Sequence, residues 1–158
     1  GWTPFISMQN HYNLVYREEE REMNAYCASS DIALMPWSPL ARGILTGTYQ
    51  GGFSGGSTSR SKGADRQRTE SLYVGEHVFP TAQRVVELAD KYAAKPAQIA
   101  LAWLLSKPEV SAPIVGVSRV DQLDELIGAT EIVLAPADID YLEALYRPVP
   151  NLLSNGFS

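Results

Sequence analysis

The sequence predicts an α/β protein built from parallel βα units. Short apolar runs alternate with stretches of helical periodicity, which is the pattern of strands joined by crossover helices. Each run breaks off at polar or aromatic residues, as strands do where they leave a sheet. Prolines bound these runs, with Pro4 before the first and Pro36 and Pro39 ending the second.

The elements follow in order. Phe5 to Gln9, after Pro4, reads as a buried strand. Glu18 to Ala28 has helical composition, with Met23, Tyr26 and Cys27 on one face and an acidic start suited to the positive end of a helix dipole. Ile32 to Met35 is a second strand, ended by Pro36 and Pro39. Residues 47–79 are rich in glycine, serine and threonine and read as a long flexible loop, either a lid or binding loop or a linker. Val85, Val86, Leu88, Ala89 and Tyr92 line a helix ending near Ala94. Pro96 suits the first turn of the next helix, which is apolar nearly all round and therefore sandwiched in a core. Pro113 to Val117 is the third strand, Val120 to Ala129 the helix after it, and Pro136 to Tyr146 a last helix before a proline-rich tail.

Residues 1–158 read as a single domain, long enough to bury a core. An apolar fraction of 45% and a charged fraction of 20% are those of a globular protein. A net charge of −5 argues against nucleic-acid binding, which needs concentrated Lys and Arg. No run reaches the roughly 18 apolar residues of a membrane span, and no signal peptide is visible. The single cysteine, Cys27, excludes an internal disulfide, fits a buried small hydrophobe, and makes a reducing, cytoplasmic compartment the default expectation. No residues cluster as metal ligands. The chain opens on Gly1, which reads as a processed or excised start.

Chemistry is concentrated in three strand-end segments: Met8 to Leu14, Pro36 to Gly43, and Gly116 to Arg119 with Gln122 and Glu125. Side chains there leave the C-terminal face of a parallel sheet, where α/β proteins place ligands. Ser118 and Asp121 have the spacing of a capping box, and Arg119 beside an organised helix start suits an anion. The same spacing also fits a serine that only caps and an arginine that is only solvated. His11 and Tyr12 are candidate acid/base groups by type, and Glu125 a third, while the position of His11 in a strand-to-helix turn suits a structural or substrate-facing role. His77 has no partner within the sequence pattern.

Taken together and in order, the segments Met8-Gln9-Asn10-His11-Tyr12-Asn13-Leu14, Pro36-Trp37-Ser38-Pro39-Leu40-Ala41-Arg42-Gly43 and Pro113-Ile114-Val115-Gly116-Val117-Ser118-Arg119 closely resemble the last three strand regions of aldo-keto reductases, and best the fungal aryl-alcohol-dehydrogenase-like branch. The resemblance covers nearly the whole chain. It implies a partial (β/α)8 TIM barrel of about three C-terminal βα units plus a C-terminal helix, because eight strands and roughly 250 residues make the whole barrel. It implies an NADP(H)-dependent oxidoreductase acting on a small carbonyl or aromatic substrate. Gln9 would bond the nicotinamide carboxamide and Trp37 would stack on its ring. Ser38, Leu40, Arg42 and Gly43 would line the pyrophosphate, Ser118 and Arg119 would hold the adenosine 2′-phosphate, and Gln122 and Glu125 would reach the adenine. The family usually has Asn after that Glu; here it is Leu126.

The family's catalytic Asp, Tyr, Lys and His come from earlier barrel segments, and none is matched here. Three expectations follow. The chain is the cofactor-binding portion of a longer reductase. Or it is a truncated relative with a non-redox activity of fungal secondary metabolism (isomerase, cyclase or dehydratase) using His11, Tyr12 and Glu125. Or it is a non-catalytic partner module, with self-association or a missing N-terminal half covering its open edges.

Overall fold

The computed structural model describes residues 1–49, 51–56 and 63–148. Three extended segments run side by side and parallel. The central one, around β2 (Ala33–Leu34), receives β1 (Ser7–Met8) on one side. Bonds from Ala33 N–H to the Ile6 carbonyl (3.0 Å), Met35 to Met8 (2.8 Å) and Trp37 to Asn10 (2.9 Å) carry that ladder beyond the regular strands. On its other side Ser111 N–H donates to the Leu34 carbonyl (2.9 Å) and Ile114 N–H to that of Pro36 (2.8 Å). The expected third strand is therefore present only as isolated parallel bridges, Leu34 with Val110 and Trp37 with Ile114. Pro113 accounts for the break, since it has no N–H to give a ladder.

β1 is not the buried strand its apolar letters suggest. Phe5 and Ile6 are 85% and 80% exposed, because no described segment packs on that side. The acidic stretch after it folds as a 3-10 turn, Glu18–Arg21, followed by α1 (Met23–Ser29), with the break at Glu22. Ion pairs at i,i+3 spacing, Arg17 with Glu20 and Arg21 with Glu18, suit the tighter turn. Asn24 and Cys27 form the buried face of α1, and Tyr26 is turned outward.

The stretch expected to be one loop at 47–79 contains a short 3-10 turn, Phe53–Gly55, and a helix, α2 (Gly63–Leu72). Its polar composition on all sides hid α2 from periodicity; residues 50 and 57–62 of the stretch lie outside the described residues. Helix α3 (Val78–Lys91) starts earlier than its apolar pattern, with Pro80 accommodated in the first turn, where a missing N–H costs no helical bond. Helix α4 (Pro96–Leu105) agrees with its sequence reading. One side, with Ile99, Trp103 and Leu104, joins the main core of Tyr12, Leu14, Ile44, Leu45, Val85 and Leu142. The other side, with Ala97 and Leu101, meets Leu126 and Ala129. Helix α5 (Val120–Ile127) and a 3-10 turn, Gly128–Glu131, follow. Helix α6 ends at Glu143 rather than Tyr146 (Pro136–Glu143).

A charged network fastens α6 to the β1 end. Glu143 accepts from Trp103 Nε1 (2.7 Å), Lys107 Nζ (2.5 Å) and Arg17 Nη2 (2.9 Å). Burial would push its carboxyl up, but those three donors outweigh it and hold it below the usual range. The Tyr146 hydroxyl reaches both Arg17 N–H and Glu18. His77, unpartnered in the sequence pattern, is buried, faces the Val15 carbonyl at 3.3 Å and meets the Tyr146 ring edge-on. Among the described residues no helix is long and apolar enough to cross a membrane, and no group of acidic, histidine or cysteine side chains could hold a metal ion.

Candidate functional site

The three segments end level with one another. His11, Trp37 and Ile114 stand in one row of parallel bridges, so the residues that follow each emerge on one face. Beyond Trp37 the chain curls tightly. Ser38, Ala41 and Arg42 take positive φ (55°, 48° and 55°), and Gly43 reaches 100°. Left-handed conformations at non-glycine residues cost roughly 1–3 kcal/mol each and persist where surroundings enforce them. Here Asn13 does so, donating from Nδ2 to the Ser38 carbonyl at 2.9 Å while its Oδ1 accepts from Val15 N–H. Arg42 is held by Thr69 (2.9 Å) and Asp65 (2.6 Å), both on α2.

His11 fills a different role from the acid or base its type suggests. Its ring lies flat between Tyr16 (4.1 Å) and Trp37 (4.0 Å). Its Nε2 faces the Tyr73 hydroxyl at 2.9 Å and the Asn13 amide nitrogen at 3.3 Å, both of which can donate, so Nε2 is the acceptor. Burial pulls its pKa down to about 4, leaving it neutral at pH 7. Burial likewise pushes Tyr73 up to about 12, so the phenol keeps its proton. Tyr12 is fully buried, donates to Glu20 at 2.6 Å and packs on Trp103; burial and Glu20 raise its pKa far out of range for proton transfer. His11, Tyr12 and Glu125 are thus not brought together. The first supports a ring stack, the second belongs to the core, and only Glu125 faces open space.

That space is a cleft of 780 Å³ between the curled loop, the start of α4 and the end of the third segment. It gathers Ser38, Leu40, Arg42, Gly43, Ser118, Gln122 and Glu125. Three of the resemblance-implied residues are not on its wall. Gln9 is exposed just past β1. Trp37 lies half-buried with one face covered by His11. Arg119 is 64% exposed and locked onto Asp121 through two bonds (Nε–Oδ1 3.0 Å, Nη2–Oδ2 2.8 Å). The cap of α5 also differs from the Ser118–Asp121 spacing. Arg119 is the N-cap, and Gln122 Oε1 accepts from the N–H groups of Ser118 and Arg119 and from the Ser118 hydroxyl. A glutamine reaching back from the third helical position does what the serine was expected to do.

The structure also shows residues that sequence reasoning passed over. Thr46, Thr48 and Lys95 line the cleft; a Gly-x-x-Thr-x-Thr run after the strand end was the available signal for the hydroxyls. Gln98 joins α4 to α5: its Oε1 accepts from Lys95 N–H (2.8 Å) and its Nε2 donates to the Glu125 carbonyl (2.8 Å).

A cleft at the carboxyl ends of parallel segments, walled by a strained loop and a helix start, defines a ligand site of the barrel-type α/β class. The chain belongs to the aldo/keto reductase family, whose model matches residues 1–147. It is 47% identical over 150 residues to a protein of Schizosaccharomyces pombe named among the aryl-alcohol dehydrogenases, covering 95% of this chain and 41% of that one. It is 42% identical over 155 residues to the versiconal hemiacetal acetate reductase of Aspergillus parasiticus, covering 94% and 42%. A solved thermostable aldo-keto reductase in complex with the inhibitor epalrestat superposes with a TM-score of 0.61 at 28% identity, over 90% of this chain and 40% of that one. The chain therefore spans about two fifths of the length of the relatives it matches.

Proposed function

We propose that this chain is the NADP-binding C-terminal portion of an aldo-keto reductase, which in complete form interconverts a small carbonyl compound and its alcohol. The observation that carries the reading is the cleft, which is lined by the phosphate and adenine residues implied by the resemblance from two separate segments.

The residues present suit such a cofactor. The cleft volume of 780 Å³ falls in the range of small-molecule and cofactor sites. Gly43 at φ 100° gives a turn that other residues enter only with strain, and Gly116 leaves open space where a Cβ would stand. When bound, the nicotinamide supplies the hydride. The chain's own part is to hold and orient. Ser38 and Gly43 would line the phosphates, the Thr46 and Thr48 hydroxyls brace that turn by donating to the Gly43 carbonyl (2.7 and 3.0 Å), and Arg42 would add a charge that Asp65 partly offsets. The Gln9 amide would meet the carboxamide. The His11 stack fixes the plane of Trp37, whose other face would take the nicotinamide. Ser118, Gln122 and Glu125 would hold the adenosine end; Arg119 would have to turn part of its guanidinium from Asp121 to phosphate to join them. Leu126 sits in the small core with Ala97, Leu101 and Ala129, so the adenine contact usual in the family is absent from that position.

Proton donation to the carbonyl belongs to the family's Tyr, supported by Lys, Asp and His. The βα units that carry them would cover the exposed outer edge of β1 with its Phe5 and Ile6. The test is an NADPH titration followed by tryptophan fluorescence. Of the three tryptophans, Trp37 should carry the saturable quench, and Trp37→Phe should abolish it. An unchanged signal at roughly millimolar cofactor would count decisively against the reading.

A further inference from the structure

Helix α2 presents a polar stripe to the strand ends. Asp65, Thr69 and Tyr73 follow one another at four-residue spacing, which puts them on one helix face. Tyr73 keeps the helical pattern just past the last residue of α2, its N–H donating to the Thr69 carbonyl at 3.1 Å. The first two hold the Arg42 guanidinium (2.6 and 2.9 Å). The third reaches a different partner. Its hydroxyl is buried and donates to His11 Nε2 at 2.9 Å. That is the shorter of the two bonds that fix the imidazole. The other comes from Asn13 Nδ2 at 3.3 Å, and that amide already serves the Ser38 carbonyl at 2.9 Å and the Tyr73 oxygen at 3.3 Å. The imidazole in turn lies against Trp37, with planes only 10° apart. Among the described residues the indole N–H of Trp37 has no acceptor, so this stack is what sets the tilt of the indole.

We propose that Tyr73 is a positioning residue for the nicotinamide half of the cofactor: its bond to His11 holds the plane of the Trp37 ring against which that half would lie, an inference that rests on the cofactor-binding reading above. The hydroxyl acts through two rings and touches neither the cofactor nor the reacting atoms. Burial keeps the phenol protonated, with its pKa pushed up to about 12, so the donor persists at neutral pH. Without it, His11 Nε2 keeps only the longer bond to a shared amide, and a poorly met buried acceptor drives the imidazole to turn towards another donor. Trp37 then follows or loses its support, and offset stacking on a tilted ring is weaker.

Calorimetric titration of the full chain with NADPH and with 2′-phospho-ADP-ribose, which lacks only the nicotinamide, isolates the contribution of that half. The unmodified chain should bind NADPH more tightly by about fivefold or more. Tyr73→Phe should bring the two affinities to within about twofold while leaving 2′-phospho-ADP-ribose binding unchanged, and that unchanged binding also shows the variant folded. His11→Phe keeps a stacking ring, removes the acceptor, and reads the same link from its other end. It should lose the same share, and the double variant should lose no more than either single one. A Tyr73→Phe protein that retains the preference overturns the proposal, as do additive losses in the double variant. Equal weakening of both ligands overturns it too, because α2 would then act through Arg42 and the curled loop instead of the ring stack. An unmodified chain that binds both ligands equally well sinks this inference alone, whereas one that binds neither removes the cofactor reading beneath it.

Discussion

Acidification should weaken this fold through one imidazole. His11 is 8% exposed and pressed between two aromatic rings, so its charged form loses hydration without gaining a carboxylate partner. In the unfolded chain the ring takes up a proton near pH 6.5; in the folded chain it does so only near 4. Between those values the unfolded state holds more protons, so stability falls as pH falls through that window and is fully retained above it. The gap corresponds to roughly 3 kcal/mol, an upper bound that solvent screening reduces toward about 2. Urea unfolding from about pH 7.5 to about pH 4.5 measures it, with His11→Phe as the reference that keeps a stacking ring but cannot titrate. The unmodified protein should lose about 2 kcal/mol more than the variant across that range. Parallel pH profiles, or a His11 imidazole resonance titrating near 6.5, would refute the reasoning.

Two further perturbations test the scaffold. Gly43→Ala, forced to φ 100°, should cost about 1–2 kcal/mol in urea unfolding, and an unchanged midpoint would show that the loop relaxes. Glu143→Gln weakens the contacts of Trp103, Lys107 and a nearly buried Arg17. It should destabilise by about 2 kcal/mol at neutral pH. Since the folded carboxyl is held below its usual value, that difference should shrink as pH falls below about 4.5.

The parts of the fold that were legible in the sequence are those where burial imposes a pattern. Helix α4 could be read from its apolar girth and Pro96, because both of its sides face a core. The strand ends were legible because apolar runs stop where the chain leaves the sheet. What escaped was set by tertiary partners. Helix α2 is polar all round and is recognisable only from what it holds, through Thr69 and Asp65 on Arg42 and through Tyr73, one residue beyond it, on His11. The outward face of β1 looked like core because its letters belong against something no described segment supplies. At the site, the motifs that carry the resemblance include Ser38, Arg42, Gly43 and Gln122, and all four line the cleft. They could not reveal that Asp121 would capture Arg119, since a neighbour two positions on competes locally with any ligand. Nor could they reveal that Lys95, outside all three motifs, would share their cleft.

The Gln98 bridge has an evolutionary consequence. Gly128 lies so close beneath it that an added Cβ would stand 2.5 Å from Nε2 of Gln98. Positions 98 and 128 are therefore not independent targets for change: alanine at 128 requires the flexible end of Gln98 to swing aside, and that movement gives up its bond to the Glu125 carbonyl and loosens the link between α4 and α5.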